Sequence, residues 1–540
     1  MSDQLHGSLK NYSITEFFDM PNPNVRDYFT RVALGQSEVY HTPWLKGKTN
    51  DAVLKELQNL LARWMPHLEK LKQQWPSLYK FEKDLAAKVG PMSVMKPLSG
   101  RMDDIDAYYA GILLPAAPVS KEALAATIDE FKSIKGLRIR SSDRTAQDMR
   151  KSTSSGTPFF TKRKRVLKET LDSDVSLTKT DFGRHSWQNG AILGWRGQEG
   201  GPTVEDVKQR VIWMFPFAVN LQELRVYQPL IAACQAKNLV PAWVSMDAVD
   251  ERITALFDTK LKDDLIVCTD FTKFDQHFNS ECSSAARTII ESLFSRSEDM
   301  TRWLEQIFPI KYQIPLLISS DQMVTGHHGM GSGSGGTNAD ETLLHRALQH
   351  EAALNNHKVL NPNSMCLGDD GILTYPGITA KDVTESYSAH GLEMNLGKQS
   401  ESAQDCTYLR RWHHTDYRVN GICVGVYSTA RALGRLCMQE RFYDPEEWGP
   451  KMVALRELSI IENCKWHPLK EEFAEFCMAR DKYRLGIDIP GFLDNIERIA
   501  QEAIDNMPDF LGYTKSMQLN GVKNVGISDW WIVKYLKSKA

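Results

Sequence analysis

Apolar positions recur at helical spacing over residues 51–65, where Val53, Leu54, Leu57, Leu60, Leu61 and Trp64 share one face and Pro66 closes the run. That spacing predicts an amphipathic helix near the N-terminus whose apolar stripe serves packing. Further on the period changes. Leu265-Ile266-Val267-Cys268 is a short unbroken apolar run, as expected of a buried strand, with Asp270 just beyond it. Met365-Cys366-Leu367 and Gly371-Ile372-Leu373-Thr374-Tyr375 read as two strands around a tight turn that carries Asp369 and Asp370. A helical pattern covers Ala339 to Leu354 and, beyond about residue 425, the stretches 451–466, 468–483 and 491–506. The last thirty residues lose any clear period, and no internal repeat is found.

With 540 residues, 42% of them hydrophobic and 25% charged, the chain can build several subdomains around a large core, which excludes a disordered or fibrous protein. A formal net charge of -3 argues against a basic coat protein but not against nucleic acid, because cations can be gathered in one channel while the sum stays near zero. Such a gathering runs from Arg138 through Lys162-Arg163-Lys164-Arg165 to Gly200-Gly201, a basic segment rich in Gly, Ser and Thr where a nucleic-acid channel is expected. Nine cysteines, none closer than 13 positions to the next, offer no Cys-x-x-Cys zinc or disulfide framework, so a reducing compartment is expected. Met1 to Met20 lacks the apolar core of a signal peptide, and no stretch is long enough to span a membrane.

Gly368-Asp369-Asp370-Gly371 lies between two apolar runs, so a hairpin there would push two carboxylates out at one sheet edge. Their mutual repulsion is relieved by a hard dication such as Mg²⁺. Alone, the tetrapeptide also reads as an ordinary turn. A second acidic site, Asp270 with Asp275 five residues on, changes that balance: one aspartate can share a metal and the other can face a sugar. Between the two sites, Gly329-Met-Gly-Ser-Gly-Ser-Gly-Gly-Thr337-Asn338 reads as a flexible glycine loop leading into a helix N-terminus, able to approach phosphate or ribose closely. It contains Gly331-x-Gly333-x-x-Gly336, a formal dinucleotide fingerprint with Glu351 near the ribose-binding position, yet the next strand presents Gly-Asp-Asp at a turn instead of the acid a Rossmann unit needs. His327-His328 and His413-His414 lack a third ligand at suitable spacing and read as structural or RNA-facing. The 13 tryptophans, Trp530-Trp531 among them, read as core or surface anchors.

In order and spacing these three segments resemble motifs A, B and C of viral RNA-dependent RNA polymerases, and Ser332-Gly-Ser-Gly-Gly-Thr-Asn-Ala-Asp-Glu341 resembles the picobirnavirus members in particular. The resemblance implies that Asp270 and Asp369 bind two Mg²⁺ ions, or Mn²⁺, with Asp370 in support. It further implies that Asp275, Ser332 and Thr337 check the ribose 2′-hydroxyl of an incoming nucleotide, with Gly333 and Asn338 in the same nucleotide-binding set. Two ions ~3.5–4 Å apart suit an in-line phosphoryl displacement. Lys208 and Arg210 resemble motif F, whose cations lie over the triphosphate. Lys398 resembles the motif D lysine that donates a proton to pyrophosphate. Cys406 to Trp412, with Arg410 and Arg411, resembles the primer-supporting motif E. Ser152 to Pro158 with the run after it resembles motif G, so Ser155, Gly156, Pro158, Lys162 and Arg163 would guide the template backbone. On residue type alone, the same cations also suit a solvated strand or a surface loop. One departure stands out: Glu341 occupies the position where many single-stranded RNA virus polymerases have Asn, four residues after the motif B Thr.

The implied fold is α+β, a closed right hand of fingers, palm and thumb with an antiparallel palm sheet backed by helices. The expected divisions are an N-terminal extension at 1–65, fingers at 66–215 and 283–325, palm at 216–282 and 326–415, and a thumb with C-terminal tail at 416–540. The tail, 510–540, is a candidate priming platform or plug. The implied activity is template-directed RNA synthesis that replicates and transcribes a double-stranded RNA genome, in a virion interior or host cytoplasm. Its partners would be single- and double-stranded RNA, ribonucleoside triphosphates and a viral capsid protein, with no membrane. Two rivals are weaker. A nucleotide-dependent oxidoreductase leaves the aspartates at strand ends unexplained, and a non-catalytic RNA-binding protein of polymerase shape would be expected to have lost one of Asp270, Asp369 and Asp370.

Overall fold

The computed structural model describes residues 5–18, 23–173, 175, 190–506 and 526–540. In chain order its strands are β1 (Ser8–Asn11), β2 (Ala191–Gln198), β3 (Lys208–Met214), β4 (Ile266–Thr269), β5 (Leu316–Leu317), β6 (Gln322–Thr325), β7 (Met365–Leu367), β8 (Asp370–Leu373), β9 (Ser400–Ser402), β10 (Asp405–Tyr408), β11 (Arg411–His414) and β12 (Val426–Tyr427). The chain divides into two compact units, one of Met1–Gly35, Lys96–Trp195 and Val211–Tyr408, the other of Gln36–Met95, Arg196–Arg210 and Leu409–Ala540.

The first unit holds both apolar runs that were expected to be strands. They join in an antiparallel sheet of order β7-β8-β4-β9, with Thr269 opposite Gly371 and Leu367 opposite Asp370. A second sheet has the order β1-β6-β5-β2-β3. The helix Thr337–Asn355 packs against the helices Lys121–Glu130, Ser280–Leu293 and Ala380–Ser388 and against β7. It is buried on nearly every side, from Ala339 to Gln349. That exposure pattern explains why it shows little amphipathic contrast. Arg346 on this helix is satisfied internally: it binds Glu130 through Nε (2.8 Å) and Nη2 (2.6 Å), and its Nη1 donates to Ser364 O at 2.6 Å.

In the second unit the helix expected over 51–65 runs from Asn50 to Leu68, capped by the Thr49 hydroxyl, and buries Val53, Leu57, Leu61, Trp64 and Leu68. Pro66 does not close it. The proline lies in the last turn, where the missing N–H removes one hydrogen bond and the helix ends within two residues. The stretch expected to be helical over 468–483 is helical only at Lys470–Met478 and is followed by a 3₁₀ turn, where Arg484 and Leu485 both take positive φ (50° and 60°). Of the tail, residues 510–525 lie outside those described, and Trp531–Lys539 is a helix. None of the nine cysteines is in a disulfide, and among the described residues no helix is long and apolar enough to cross a membrane.

At the centre of this unit Glu82 is fully buried beneath the N-terminus of the helix Thr429–Cys437. It accepts from the amides of Thr429 (2.7 Å) and Ala430 (3.1 Å), from the hydroxyls of Ser428 and Thr429 (3.0 Å each) and from His467 Nε2 (3.0 Å). Burial alone would push the carboxyl up, but the imidazole and the two amides outweigh it and hold the group below its ordinary value. A depressed folded-state value means that Glu82 contributes stability above the ordinary carboxylate range and loses it as pH falls through the folded value. Glu82→Ala is therefore expected to cost about 3–5 kcal/mol at neutral pH, since it strands a buried donor cluster. Thermal unfolding followed from pH 7 into the acid range checks this, and a pH-independent gap between variant and wild type would contradict it.

Candidate active site

The register places the three aspartates at one sheet edge. One step beyond the Thr269–Gly371 pair, Asp270 comes level with Asp370, and Leu367 and Asp370 close a two-residue turn of Gly368 and Asp369. Gly368 takes φ +57°, the glycine-favouring first position of a tight hairpin turn. The turn is held from below by the helix Thr337–Asn355: Thr342 Oγ1 accepts from Gly368 N and His345 Nδ1 faces Gly368 O, both at 2.9 Å. Burial pushes His345 down to about 4, so the ring is neutral and Nδ1–H donates. Gly371 must be glycine because a Cβ there would lie 2.6 Å from the His345 ring. Asp270 and Asp369 are exposed and Asp370 is half-buried. The Asp370 charge reaches the thiols of Cys268 (pushed up to about 11) and Cys366 (up to about 12), adding to the larger effect of burial.

Lys398 is exposed on a turn anchored to the same edge, for the neighbouring Gln399 side chain both donates to Asp270 O (2.8 Å) and accepts from Asp270 N (2.7 Å). Asp275 is fixed through its backbone, its carbonyl accepting from Met330 N at 2.8 Å. Its side chain meets Glu341. Burial raises the buried Glu341 carboxyl well above its ordinary value, followed by the Asp275 charge, a hydrogen bond to Asp275 and the charge of Asp369. Two ionised carboxylates cannot share a hydrogen bond, and Glu341 Oε1 is buried with no donor facing it. Burial and the neighbouring Asp275 and Asp369 charges therefore all favour the protonated form of Glu341.

The glycine loop differs from the expectation in its reason for being glycine. None of Gly331, Gly333, Gly335 and Gly336 has a positive φ. Instead, a Cβ would lie 2.9 Å from the Phe215 ring at Gly331, 1.6 Å from Trp213 O at Gly333, 3.1 Å from Leu224 at Gly335 and 2.4 Å from the Tyr227 ring at Gly336. The loop is pressed against β3 and the helix Phe217–Ala236. Ser332 Oγ donates to Val211 O (3.1 Å), Thr337 Oγ1 to Gly331 O and Ser334 O (3.2 Å each), and Asn338 Oδ1 accepts from Trp243 Nε1 (2.7 Å). Beneath it Asp340 receives Tyr227 Oη (2.7 Å), Tyr312 Oη (2.6 Å) and the Lys311 ammonium (3.0 Å), all fully buried or nearly so.

The expected template-guiding residues divide. Lys162 is exposed, whereas Ser155, Gly156 and Pro158 are buried and shape the turn, with Ser155 O accepting from Phe217 N at 2.9 Å. The Arg163 guanidinium is turned inward over Phe217 (5.0 Å), and burial pushes it down to about 10. In the second unit, Arg411 is also buried, its Nη2 donating to Gly425 O at 3.1 Å. Lys208, Arg210 and Arg410 are exposed there, and Arg210 Nε donates to Gln198 Oε1 at 2.8 Å. Arg410 lies 3.9 Å from Glu199, which also binds Arg431 at 2.5 Å. Partial desolvation of its half-exposed side chain, then Arg431 and finally Arg210 lower Arg410, against Glu199 and Tyr427, as in a cluster with more cations than anions.

Glu223, Lys311, Asp340, Thr342, His345, Glu199 and Arg431 had no signal of their own in the sequence. The nearest hint was an acidic Asp340-Glu341 pair directly after a glycine loop.

A family model described as viral RNA-dependent RNA polymerase matches residues 103–420. A curated potential RNA-dependent RNA polymerase of Human picobirnavirus (strain Human/Thailand/Hy005102/-) is 58% identical over 534 residues, covering 97% of this chain and 98% of the relative. The crystal structure of the RNA-dependent RNA polymerase of a human picobirnavirus is similar at 57% identity and TM-score 0.90, covering 98% of this chain and 99% of that one. An insertion loop deletion mutant of such an enzyme aligns at 55% identity and TM-score 0.88, with the same coverage. The aspartate-bearing sheet edge and these likenesses agree: the chain has the right-hand polymerase fold and belongs to the viral RNA-dependent RNA polymerases, nucleotidyltransferases that bind RNA and nucleoside triphosphates.

Proposed function

We propose that the chain copies an RNA template from ribonucleoside triphosphates with two divalent ions held by Asp270 and Asp369 and backed by Asp370. The observation that carries this is the strand register, which brings Asp270 level with Asp370 beside the Gly368-Asp369 turn. Among the described residues no three acidic, histidine or cysteine side chains form a closed cage. Open carboxylates at an exposed edge fit Mg²⁺, which keeps several waters and takes its remaining ligands from substrate phosphates. Such ions would activate the primer 3′-hydroxyl and neutralise charge on the pyrophosphate.

The chain's own groups do the rest. Thr342 and His345 hold the turn that aims Asp369. Gln399 ties the Lys398 turn to Asp270, so an ammonium is available near the leaving group. In the second unit Lys208, Arg210 and Arg410 are cations suited to phosphate, and in the first Lys162 supplies one for the template. Asp275 receives the 2′-hydroxyl, with Glu341 donating to its other side. The picobirnavirus relatives support extending this reading to a closed hand that replicates and transcribes a double-stranded RNA genome within a particle or host cytoplasm.

The test is incorporation of labelled nucleotide on a single-stranded RNA template with Mg²⁺ or Mn²⁺. Product that vanishes on chelation supports the reading, and product indifferent to chelation removes it. The Glu341 role has its own check. Glu341→Gln keeps a neutral donor and is expected to preserve ribonucleotide over deoxyribonucleotide selection, whereas Glu341→Ala is expected to lower the kcat/KM ratio about tenfold, the worth of one hydrogen bond to a charged group. Equal ratios in wild type and Glu341→Ala would dismiss that role.

A further inference from the structure

The helix Phe217–Ala236 presents Phe217, Asn220, Glu223 and Tyr227 at three- and four-residue spacing, one stripe along its face. Glu223 is fully buried at the middle of that stripe and grips the glycine loop: Ser334 Oγ donates to Oε2, and Gly335 N donates to Oε1 at 3.1 Å. The Asn220 amide, oriented by its neighbours, donates from Nδ2 to Glu223 Oε1 at 3.0 Å and accepts at Oδ1 from Arg163 Nη2 at 2.9 Å. Arg163 also donates to Arg150 O at 3.3 Å, and its chain neighbours Lys162, Lys164 and Arg165 are exposed. An unbroken run of hydrogen bonds thus joins the basic segment to the backbone of the loop. The loop between Gly331 and Gly336 has no apolar side chain with which to anchor itself, so its polar tethers decide where its middle lies.

We propose that Glu223 is a positioning residue that sets the conformation of Ser334 and Gly335, and that Arg163 and Asn220 link this tether to RNA held by the basic segment. The link rests on the template-directed reading given above; the tether itself does not. Burial pushes the Glu223 carboxyl up to about 7, while Lys311, Ser334 and Gly335 pull it back and Asp340 pushes it further up. The groups facing it are therefore Lys311, Asp340, the loop donors and, through Asn220, Arg163. Above that value the ionised carboxylate can accept from Ser334, Gly335 and Asn220 together, and as pH falls through it the added proton removes part of this capacity. The tether is thus present on the alkaline side and weakened on the acid side.

Amide hydrogen exchange over residues 331–337 of the full chain, corrected for intrinsic rates, tests this without requiring catalysis. Glu223→Ala is expected to speed exchange about tenfold, the loss of one charge-assisted hydrogen bond. Wild type should exchange faster at pH 6 than at pH 8, and Glu223→Gln, a neutral mimic, should show the wild-type acid value at both. Should Glu223→Ala fail to fold, the Gln variant and the pH series still decide. Template RNA should slow exchange over the loop in wild type and not in Asn220→Ala. Elongation kcat should follow the exchange order while the KM for nucleotide changes little. Exchange unmoved in Glu223→Ala and Glu223→Gln would overturn the tether, and RNA protection unchanged in Asn220→Ala would overturn the link. A wild type that makes no RNA yet shows the expected exchange would remove the polymerase reading and leave the tether standing.

Discussion

Asp369→Ala is expected to reduce nucleotide incorporation by at least about 10³-fold while leaving RNA binding and thermal stability near those of the wild type. The side chain is exposed at the apex of the β7–β8 turn, so its removal creates no cavity. The turn survives because its supports act on Gly368, whose N–H and C=O are held by Thr342 and His345. What is lost is a carboxylate at the edge where Asp270 and Asp370 come level. Metal stabilisation of a phosphoryl-transfer transition state amounts to several kcal/mol. At 1.36 kcal/mol per factor of ten, losing about 4 kcal/mol gives the stated drop. Single-turnover incorporation on a pre-bound template separates chemistry from binding. Activity within tenfold of wild type would mean that Asp369 holds no essential ion.

The second large effect is on stability. Asp340→Ala removes the ion-pair partner of a lysine whose side chain is fully buried, leaving the Lys311 ammonium with the carbonyl of Phe308, the Phe308 ring 3.5 Å away and the more distant Glu223 charge. Burial already lowers the Lys311 value, opposed chiefly by Asp340. Breaking such a pair typically costs about 3–5 kcal/mol, because the remaining charge is neither solvated nor neutralised. The hydroxyls of Tyr227 and Tyr312 lose their acceptor as well. Removing both charges, as in Lys311→Met with Asp340→Leu, is expected to recover much of that loss, since the desolvation cost disappears with the attraction. Denaturant unfolding of the single and double variants checks this. A double variant no more stable than Asp340→Ala alone would show that packing, not the stranded charge, sets the penalty.

Local pattern exposed some of these features and hid others. The strand β4, the β7–β8 hairpin and its Gly368 turn were legible because alternation, apolar runs and a glycine between strands are properties of a few consecutive residues. The helix Asn50–Leu68 was legible for the same reason, except at Pro66, whose cost depends on how many hydrogen bonds remain beyond it. Ser155, Gly156, Pro158, Arg163 and Arg411 were expected at RNA because they fall in stretches that resemble motifs G and E, and all are buried or turned inward. A basic run does not reveal which of its members finds an internal acceptor.

By itself the sequence determined the acidic pair in a hairpin, the acid that follows a buried strand, the glycine loop between them and hence the family, because each is written in adjacent residues. Only the tertiary structure decided why the loop glycines are glycine, that the buried Glu341 faces Asp275, and that Glu223, Lys311 and Asp340 lie beneath the loop. The reason is physical: a charged side chain is buried only when partners far along the chain close around it, and the free energy of that closure belongs to the packing and not to any local run of residues.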